Sequence, residues 1–372
     1  MNYFQFSRRN FIRQFSGAAA VAAAWPGIPS LSLLPISSRG EFIPDIPLTV
    51  GQIGIAHPHA DGKLAAMLSA TADWRVVGWS ERDAELGQRA EARHPYNRIP
   101  RLTAEELLER QDITTLAIET SLNQATEMAR AAVDQGKHVH LDKPGGIDHP
   151  SFVALHRAAE ARGLTVQMGY MLRYNPAFRL LFQAVQEGWL GEITEIDASM
   201  GKLADKDTRS LIREQPGGAM FEIGCHLIDI IVRLLGLPED VVAFNTPSTD
   251  DGEPDNQLAV LRYPRATANV RTNFADPFGS PRRRFNVTGT AGSFEIKPLE
   301  SGKIVLSLTQ GRGEYRQGTQ AIQLPMAGGR YDGEFADLAR VIRKQQAFAW
   351  SPQHDIDVHA TTLRAAGIWT KE

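Results

Sequence analysis

The chain of 372 residues carries a single cysteine, Cys225, so no disulfide can form within it and the fold must be held by packing and polar contacts alone. Long apolar runs are missing too: the Ala-rich stretch from Phe15 to Ala24 is too short to cross a bilayer as a helix, which excludes a stable membrane span there. Charge of one sign is equally scarce, with 40 Lys and Arg against 43 Asp and Glu and a net charge of -3, which leaves no electrostatic footprint for nucleic acid. The one dense basic run, Arg282-Arg283-Arg284, leads into the strand-like Phe285-Asn286-Val287 and reads as a solvated turn. No internal repeat is present. A hydrophobic content of 42% in a chain of this length supports two packed cores, hence two domains.

Residues 1–45 differ in kind. Ser7-Arg8-Arg9-Asn10-Phe11-Ile12-Arg13 precedes the Ala-rich stretch, and the paired arginines, the polar residue after them and the Phe-Ile that follows resemble a twin-arginine export signal. The resemblance implies passage of the folded protein through the twin-arginine export machinery to the periplasm, with cleavage after Ala22-Ala23-Ala24 or near Ser37-Ser38. A basic terminus on a cytosolic protein is the alternative. Folding in a reducing compartment before export agrees with the lone cysteine.

From Leu48 to Lys143 strand and helix patterns alternate, the mark of βαβ units and a mainly parallel sheet. The expected strands are 48–54, 74–79, 114–119 and 138–141. Helices are expected at 61–69, 84–92, 104–110 and 124–135, the last stopped by Gly136. Beyond Ser151 come a helix at 152–161, a strand at 165–169 and a helix at 176–187. Short strands then follow at 193–199, 241–245, 256–263, 266–273, 285–288 and 293–296, with a helix at 333–344. Strands in succession with Gly and Pro turns imply an open, mainly antiparallel sheet in a second α+β domain. The domains expected are 46–148 and 149–372.

Three groups and one loop carry the candidate chemistry. After the first strand comes Gly54-Ile55-Ala56-His57-Pro58-His59, which has the rhythm of the phosphate-binding G-x-G-x-x-G turn but only its first glycine. Glu81, at the end of the second strand and beside Arg82, lies where a ribose-binding acid is expected. The first group, Gly136-Lys137-His138-Val139-His140-Leu141-Asp142-Lys143-Pro144, delivers Lys143 to the carboxyl edge of the sheet, where ligands of open α/β sheets bind. In the second, Gly217-Gly218 leads to Glu222 and His226, four apart and on one face if helical, with Asp229 beyond; a carboxylate beside an imidazole suits acid–base work. The i,i+4 pair would also suit a metal, but no third ligand of matching spacing accompanies it, so no metal is assigned. The third, Gly169-Tyr170-Met171-Leu172-Arg173-Tyr174-Asn175-Pro176, offers two phenols and a guanidinium that bind sugar hydroxyls or simply pack and cap.

Together and in this order the groups resemble the glucose–fructose oxidoreductase and inositol dehydrogenase family, over nearly all the chain after residue 47. The resemblance implies a Rossmann-type doubly wound parallel sheet joined to a C-terminal open-sheet domain. It also implies an NAD or NADP cofactor, a small sugar or sugar derivative as substrate, and a homo-oligomer whose open sheets pair. It places Lys143, His226 and Glu222 in catalysis, and Tyr170, Arg173, Tyr174 and Asp229 at the substrate. Gly54, Ala56, His57, Pro58, His59, Glu81, Arg82, Thr120, Asn123, Asp142 and Lys143 fall at the cofactor. Five positions depart from the family: Ala56 replaces the second glycine, His59 stands near the third, Asp142 replaces a glutamate, Glu222 an aspartate, and Gln124 a histidine. Glu81 favours NAD, because a carboxylate repels a 2′-phosphate, whereas Arg82 would accommodate one. In the periplasm a dissociating cofactor would be lost, so a tightly held, internally recycled one is expected. That fits a coupled sugar oxidoreductase or redox-neutral glycoside cleavage. The alternative from another class is a sugar-binding protein of the same fold without redox chemistry.

Overall fold

The computed structural model describes residues 46–369; the twin-arginine segment and its cleavage points lie outside them. Strands β1 (Leu48–Ile53), β2 (Trp74–Ser80), β3 (Thr115–Ile118), β4 (His138–Leu141) and β5 (Val166–Met168) all pair in parallel, in the order β2-β1-β3-β4-β5. The connecting helices are α1 (Ala60–Ser69), α2 (Ala84–Glu91), α3 (Ala104–Glu109), α4 (Leu122–Asp134) and α5 (His149–Ala161). As a central strand, β1 is buried on both faces, so its sequence Leu-Thr-Val-Gly-Gln-Ile shows no polar–apolar alternation. The fifth strand of this sheet lies beyond residue 148, the boundary expected from the sequence, because β5 pairs directly with β4 through Val139 and Val166.

The chain moves outward from β1 to β2 and then returns to the other side of β1 at β3. The carboxyl ends of β1 and β3 therefore flank a switch point, where a crevice opens in sheets of this kind. Gly54 makes that junction close. Its φ is +90°, and a Cβ there would stand 2.5 Å from the Thr120 nitrogen, so only glycine fits.

The second layer follows α6 (Pro176–Gln186), with β6 (Ile193–Gly201), α7 (Lys206–Glu214) and α8 (Cys225–Leu235). Then come β7 (Asp240–Thr246), β8 (Asn256–Arg262), β9 (Thr267–Asn273), the four-residue helix α9 (Gly279–Arg282), β10 (Arg284–Gly289), β11 (Gly292–Ile296), β12 (Lys303–Leu308) and β13 (Gly318–Gln323). These strands form an eight-stranded sheet in the order β13-β12-β11-β10-β6-β9-β8-β7, antiparallel except where β6 meets β9. Ile196, Ala198, Leu261, Val270, Phe285, Val287, Phe294 and Leu306 bury its inner face, covered by α6, α8 and the C-terminal helix α11 (Pro352–Ala365).

The sequence reading overlooked β12, β13, α7 and α11. In α11 the start was legible, since Ser351 accepts a hydrogen bond from the His354 N–H and Pro352 opens the first turn; its polar interior hid the rest. The basic run is also tighter than a solvated turn. Arg282 pairs with Asp276 at 2.9 Å, Arg283 with Glu300 at 2.5 Å, and Arg284 with Asp197, so each guanidinium already has a carboxylate.

Helix α10 (Asp332–Ile342), near the chain end, returns to the parallel sheet. Phe335, Leu338 and Ala339 share one core with Val50, Leu64, Trp74 and Trp79, and the Trp74 indole donates to the Phe335 carbonyl at 3.2 Å. Truncating Phe335 to Ala should therefore cost about 3–5 kcal/mol of stability, read as a lower thermal midpoint. A loss under about 1 kcal/mol would show that α10 is not integral to the N-terminal core.

Candidate functional site

Most helices begin with a side-chain cap: Asp83 for α2, Thr103 with Glu106 as a capping box for α3, Asp148 for α5, Asn175 for α6 and Asp205 for α7. Helices α1 and α4, which start at the carboxyl ends of β1 and β3, have none. Backbone carbonyls already take part of these first turns, the Ala60 N–H bonding the His57 carbonyl at 3.1 Å and the Gln124 N–H the Ser121 carbonyl at 3.0 Å. Glu81 braces the loop from beside: its carboxylate accepts the Ile55 N–H and the Asp83 N–H, each at 2.9 Å. Arg82 is exposed, 3.9 Å from Glu105. Ala56, Pro58 and Asn123 are exposed as well, while Thr120 is half-buried at the mouth.

The loop histidines turn inward. His57 is buried, with Nδ1 2.7 Å from Asp142 Oδ2 and Nε2 3.6 Å from Glu222 Oε1; His59 Nδ1 lies 3.5 Å from Asp142 Oδ1. On the other side of Asp142 stands the fully buried ammonium of Lys63, which also bonds Glu119 at 2.9 Å. Burial alone would push His57 down, but Asp142, helped by Glu222, overcomes it and Lys143's repulsion and lifts it to about 9. Burial lowers His59 to about 3 despite Asp142, so the neighbouring rings differ in charge at neutral pH. Burial also pushes Glu119 up to about 7 against the pull of Lys63.

Lys143 is fully buried at the end of β4, its ammonium donating to the Glu222 carbonyl at 2.7 Å and to Glu222 Oε1 at 2.5 Å. Burial works against that charge, yet Glu222 keeps it above the ordinary lysine value, and in return Lys143 and His57 hold Glu222 ionised against its own burial. The expectation that Glu222 and His226 share a helical face is corrected. Residues Met220–Gly224 form a π-helical turn before α8, and the wider turn directs Glu222 to Lys143 and His57. Among the described residues no hydrogen bond joins Glu222 to His226. The His226 ring packs edge-on to Tyr170 at 5.8 Å, its Nδ1 buried without a partner, and burial with the nearby charge of Lys143 holds it well below the usual histidine value.

Arg173 and Asp229 do not reach this place, which corrects their assignment to the substrate. Both are fully buried: Arg173 bonds Asp229 at 2.6 Å and Asp355 at 2.5 Å, lies over Trp350 at 4.1 Å, and His354 bonds Asp229 at 2.9 Å. The Tyr174 hydroxyl accepts from Gln167 and donates to Asp337 of α10, so it too is a packing contact. Tyr170 alone of that group stands beside the candidate catalytic residues.

Residues 178–295 match the GFO/IDH/MocA C-terminal domain. Similarity to individual proteins points the same way. The chain is 28% identical over 195 residues to the uncharacterized oxidoreductase YhhX of Escherichia coli, covering 51% of this chain and 54% of that protein. It is 27% identical over 175 residues to D-xylose 1-dehydrogenase (NADP(+)) 2 of Haloferax volcanii, covering 46% and 53%. The aligned stretches thus span about half the length of these curated relatives. Among solved structures, levoglucosan dehydrogenase in complex with NADH and levoglucosan superposes with a TM-score of 0.73 at 18% identity, over 87% of this chain and 97% of that one. These matches support the family, and the last shows the shared fold: a parallel Rossmann-like sheet followed by a mainly antiparallel one.

The residues fit the family's dinucleotide. Gly54 supplies the turn that no side chain allows, no side chain occupies the N-terminal ends of α1 and α4, and the inward orientation of His57 removes its ring from the exposed side of the loop. A metal fits less well. His57, His59 and Asp142 bring ligand atoms within 4.8 Å, but the ammonium of Lys63 already neutralises Asp142; in the similar cluster of Asp229, His354 and Asp355 the Arg173 guanidinium takes that place.

Sequence reasoning missed Lys63, although a lysine beside Leu64 and four residues before Met67, on the apolar stripe of α1, was a visible signal. It also missed Tyr331, whose ring rests on Gly62 of α1, where a Cβ would come within 2.7 Å of it, and near His59 at 5.8 Å. No local pattern marks that contact.

Two outcomes test this description. Arg173→Met should lose about 3–5 kcal/mol of stability by leaving buried carboxylates unpaired, and a variant of native stability with a weaker substrate affinity would restore the substrate role. His57, whose folded value of about 9 exceeds the ordinary histidine value of 6.5, stabilises fully below pH 6.5 and loses that contribution as pH rises through 9. The wild-type thermal midpoint should therefore fall more steeply over that range than that of His57→Gln; parallel curves would remove the ion pair.

Proposed function

We propose that the chain is a nicotinamide-dependent oxidoreductase acting on a hydroxyl group of a sugar or sugar derivative. One observation carries this reading: the uncapped loop after Gly54 and the buried Lys143–Glu222 pair meet at the switch point of a Rossmann-like sheet, with His226 alongside. Relatives named as sugar dehydrogenases with nicotinamide cofactors add to it.

A nicotinamide held beyond the loop after Gly54 would supply hydride exchange at the carbinol carbon. The protein's residues handle the oxygen and its proton. Lys143, kept charged by Glu222, stabilises negative charge on the oxygen. His226, kept neutral, takes the hydroxyl proton on oxidation and gives it back on reduction. Glu222 fixes the ammonium, and Tyr170 packs against His226.

The dinucleotide in this proposal is NAD, on the charge of Glu81, and it is tightly held and recycled on the protein, as export of the folded, loaded chain to the periplasm requires.

Denaturing the purified protein and identifying the released nucleotide by absorbance and mass tests the cofactor and its retention. Stoichiometric NAD(H) is expected. NADP(H) would overturn the role of Glu81, and an empty protein that binds neither would leave a sugar-binding protein of the same fold. Lys143→Met, with its fold checked by circular dichroism, should lose at least about 100-fold in turnover; full turnover would remove Lys143 from the chemistry.

A further inference from the structure

The two histidines that stand where a phosphate loop ordinarily carries small residues have no role in the reading above. His57 bridges two carboxylates that belong to different layers of the fold. Nδ1 faces Asp142 at the end of β4, and Nε2 faces Glu222 in the π-helical turn before α8, the same oxygen that holds Lys143 at 2.5 Å. The other charged or titratable neighbours are Lys143, which repels the imidazolium, His59, whose ring centre is 4.4 Å away on the same loop, and Glu119 at the end of β3; Lys63 of α1 occupies the remaining oxygen of Asp142. His57 Nε2 and Glu222 Oε2 are buried without hydrogen-bond partners, and the 3.6 Å approach of His57 Nε2 to Glu222 Oε1 adds to the stronger pairing of His57 with Asp142 and of Glu222 with Lys143.

We propose that His57 is a positioning residue that ties the loop after β1 to the Lys143–Glu222 pair, so that an anion arriving at the loop and the charge state of the catalytic pair are coupled. The inference takes its consequence for catalysis from the oxidoreductase reading. The coupling follows from linkage: a diphosphate at the loop favours the imidazolium, so binding takes up protons at a pH where free His57 is partly neutral, and by reciprocity affinity falls as His57 loses its proton. An imidazolium between the two carboxylates also holds Glu222 ionised and facing Lys143.

Calorimetry of NAD binding at pH 9, in two buffers of different ionisation enthalpy, reads the proton uptake. Wild type should take up protons; His57→Gln should bind NAD without uptake and show a kcat/KM profile lacking the alkaline fall near pH 9. Equal uptake in both proteins overturns the proposal. If neither NAD nor NADP binds, the oxidoreductase reading falls, and the nucleotide-free protein decides this inference alone. There, nitrogen-15 NMR of the histidine rings should give His57 a midpoint near 9. Lys143→Met should raise that midpoint and Glu222→Gln should lower it, each by about one unit. Either variant that folds suffices, and an unmoved midpoint overturns the coupling.

Discussion

The carboxylate of Asp142 sets the conditions under which the rest of the site exists. It stands buried at the end of β4, and three basic groups face it: Lys63 from α1, and His57 and His59 from the loop that precedes that helix. Charges removed from water to this degree persist only when each is compensated by another. The loop after Gly54 is consequently held by ion pairs to the sheet edge, which is how it keeps its turn without the second and third glycines.

The same electrostatic logic joins the two layers of the fold. Lys143 follows β4 of the parallel sheet, and its partner Glu222 comes from a turn packed on the open sheet, so each would be a buried charge lacking its closest counterion without the other. Around them the protein separates its titrating groups. Lys143 is driven towards the charged form and His226 towards the neutral one, and groups pushed apart in this way divide stabilisation of charge from transfer of a proton. The triad of Arg173, Asp229 and Asp355 uses the same compensation for a structural end, locking α8 to α11. Chemically similar residues therefore serve packing in one place and the candidate chemistry in another, and only their surroundings distinguish them.

Much of the fold was legible in local pattern. The alternation from Leu48 to Lys143 marked the parallel sheet because each βαβ unit repeats the same change of period, and the apolar run of β1 marked a strand buried on both faces. Gly54, Glu81 and Lys143 were recognisable since a positive-φ turn, an acid after the second strand and a lysine at a strand end are properties of position along the chain. The polar edge strand β13 and the helix α11 carried too little apolar periodicity to be seen.

The sequence by itself thus determined the alternating strands and helices of the parallel sheet, the loop and the residue types delivered to the sheet's carboxyl edge. Tertiary structure alone decided which of those residues meet. A spacing of four placed Glu222 with His226, but the π-helical turn gave Glu222 to Lys143 and His57; a cluster of tyrosine and arginine pointed to a ligand, but burial spent Arg173 on two aspartates. Tyr331 reached α1 from the far end of the chain. The reason is physical: periodicity and capping act over a few residues, whereas compensation of a buried charge depends on whatever the folded chain brings within a few ångströms, at any separation in sequence.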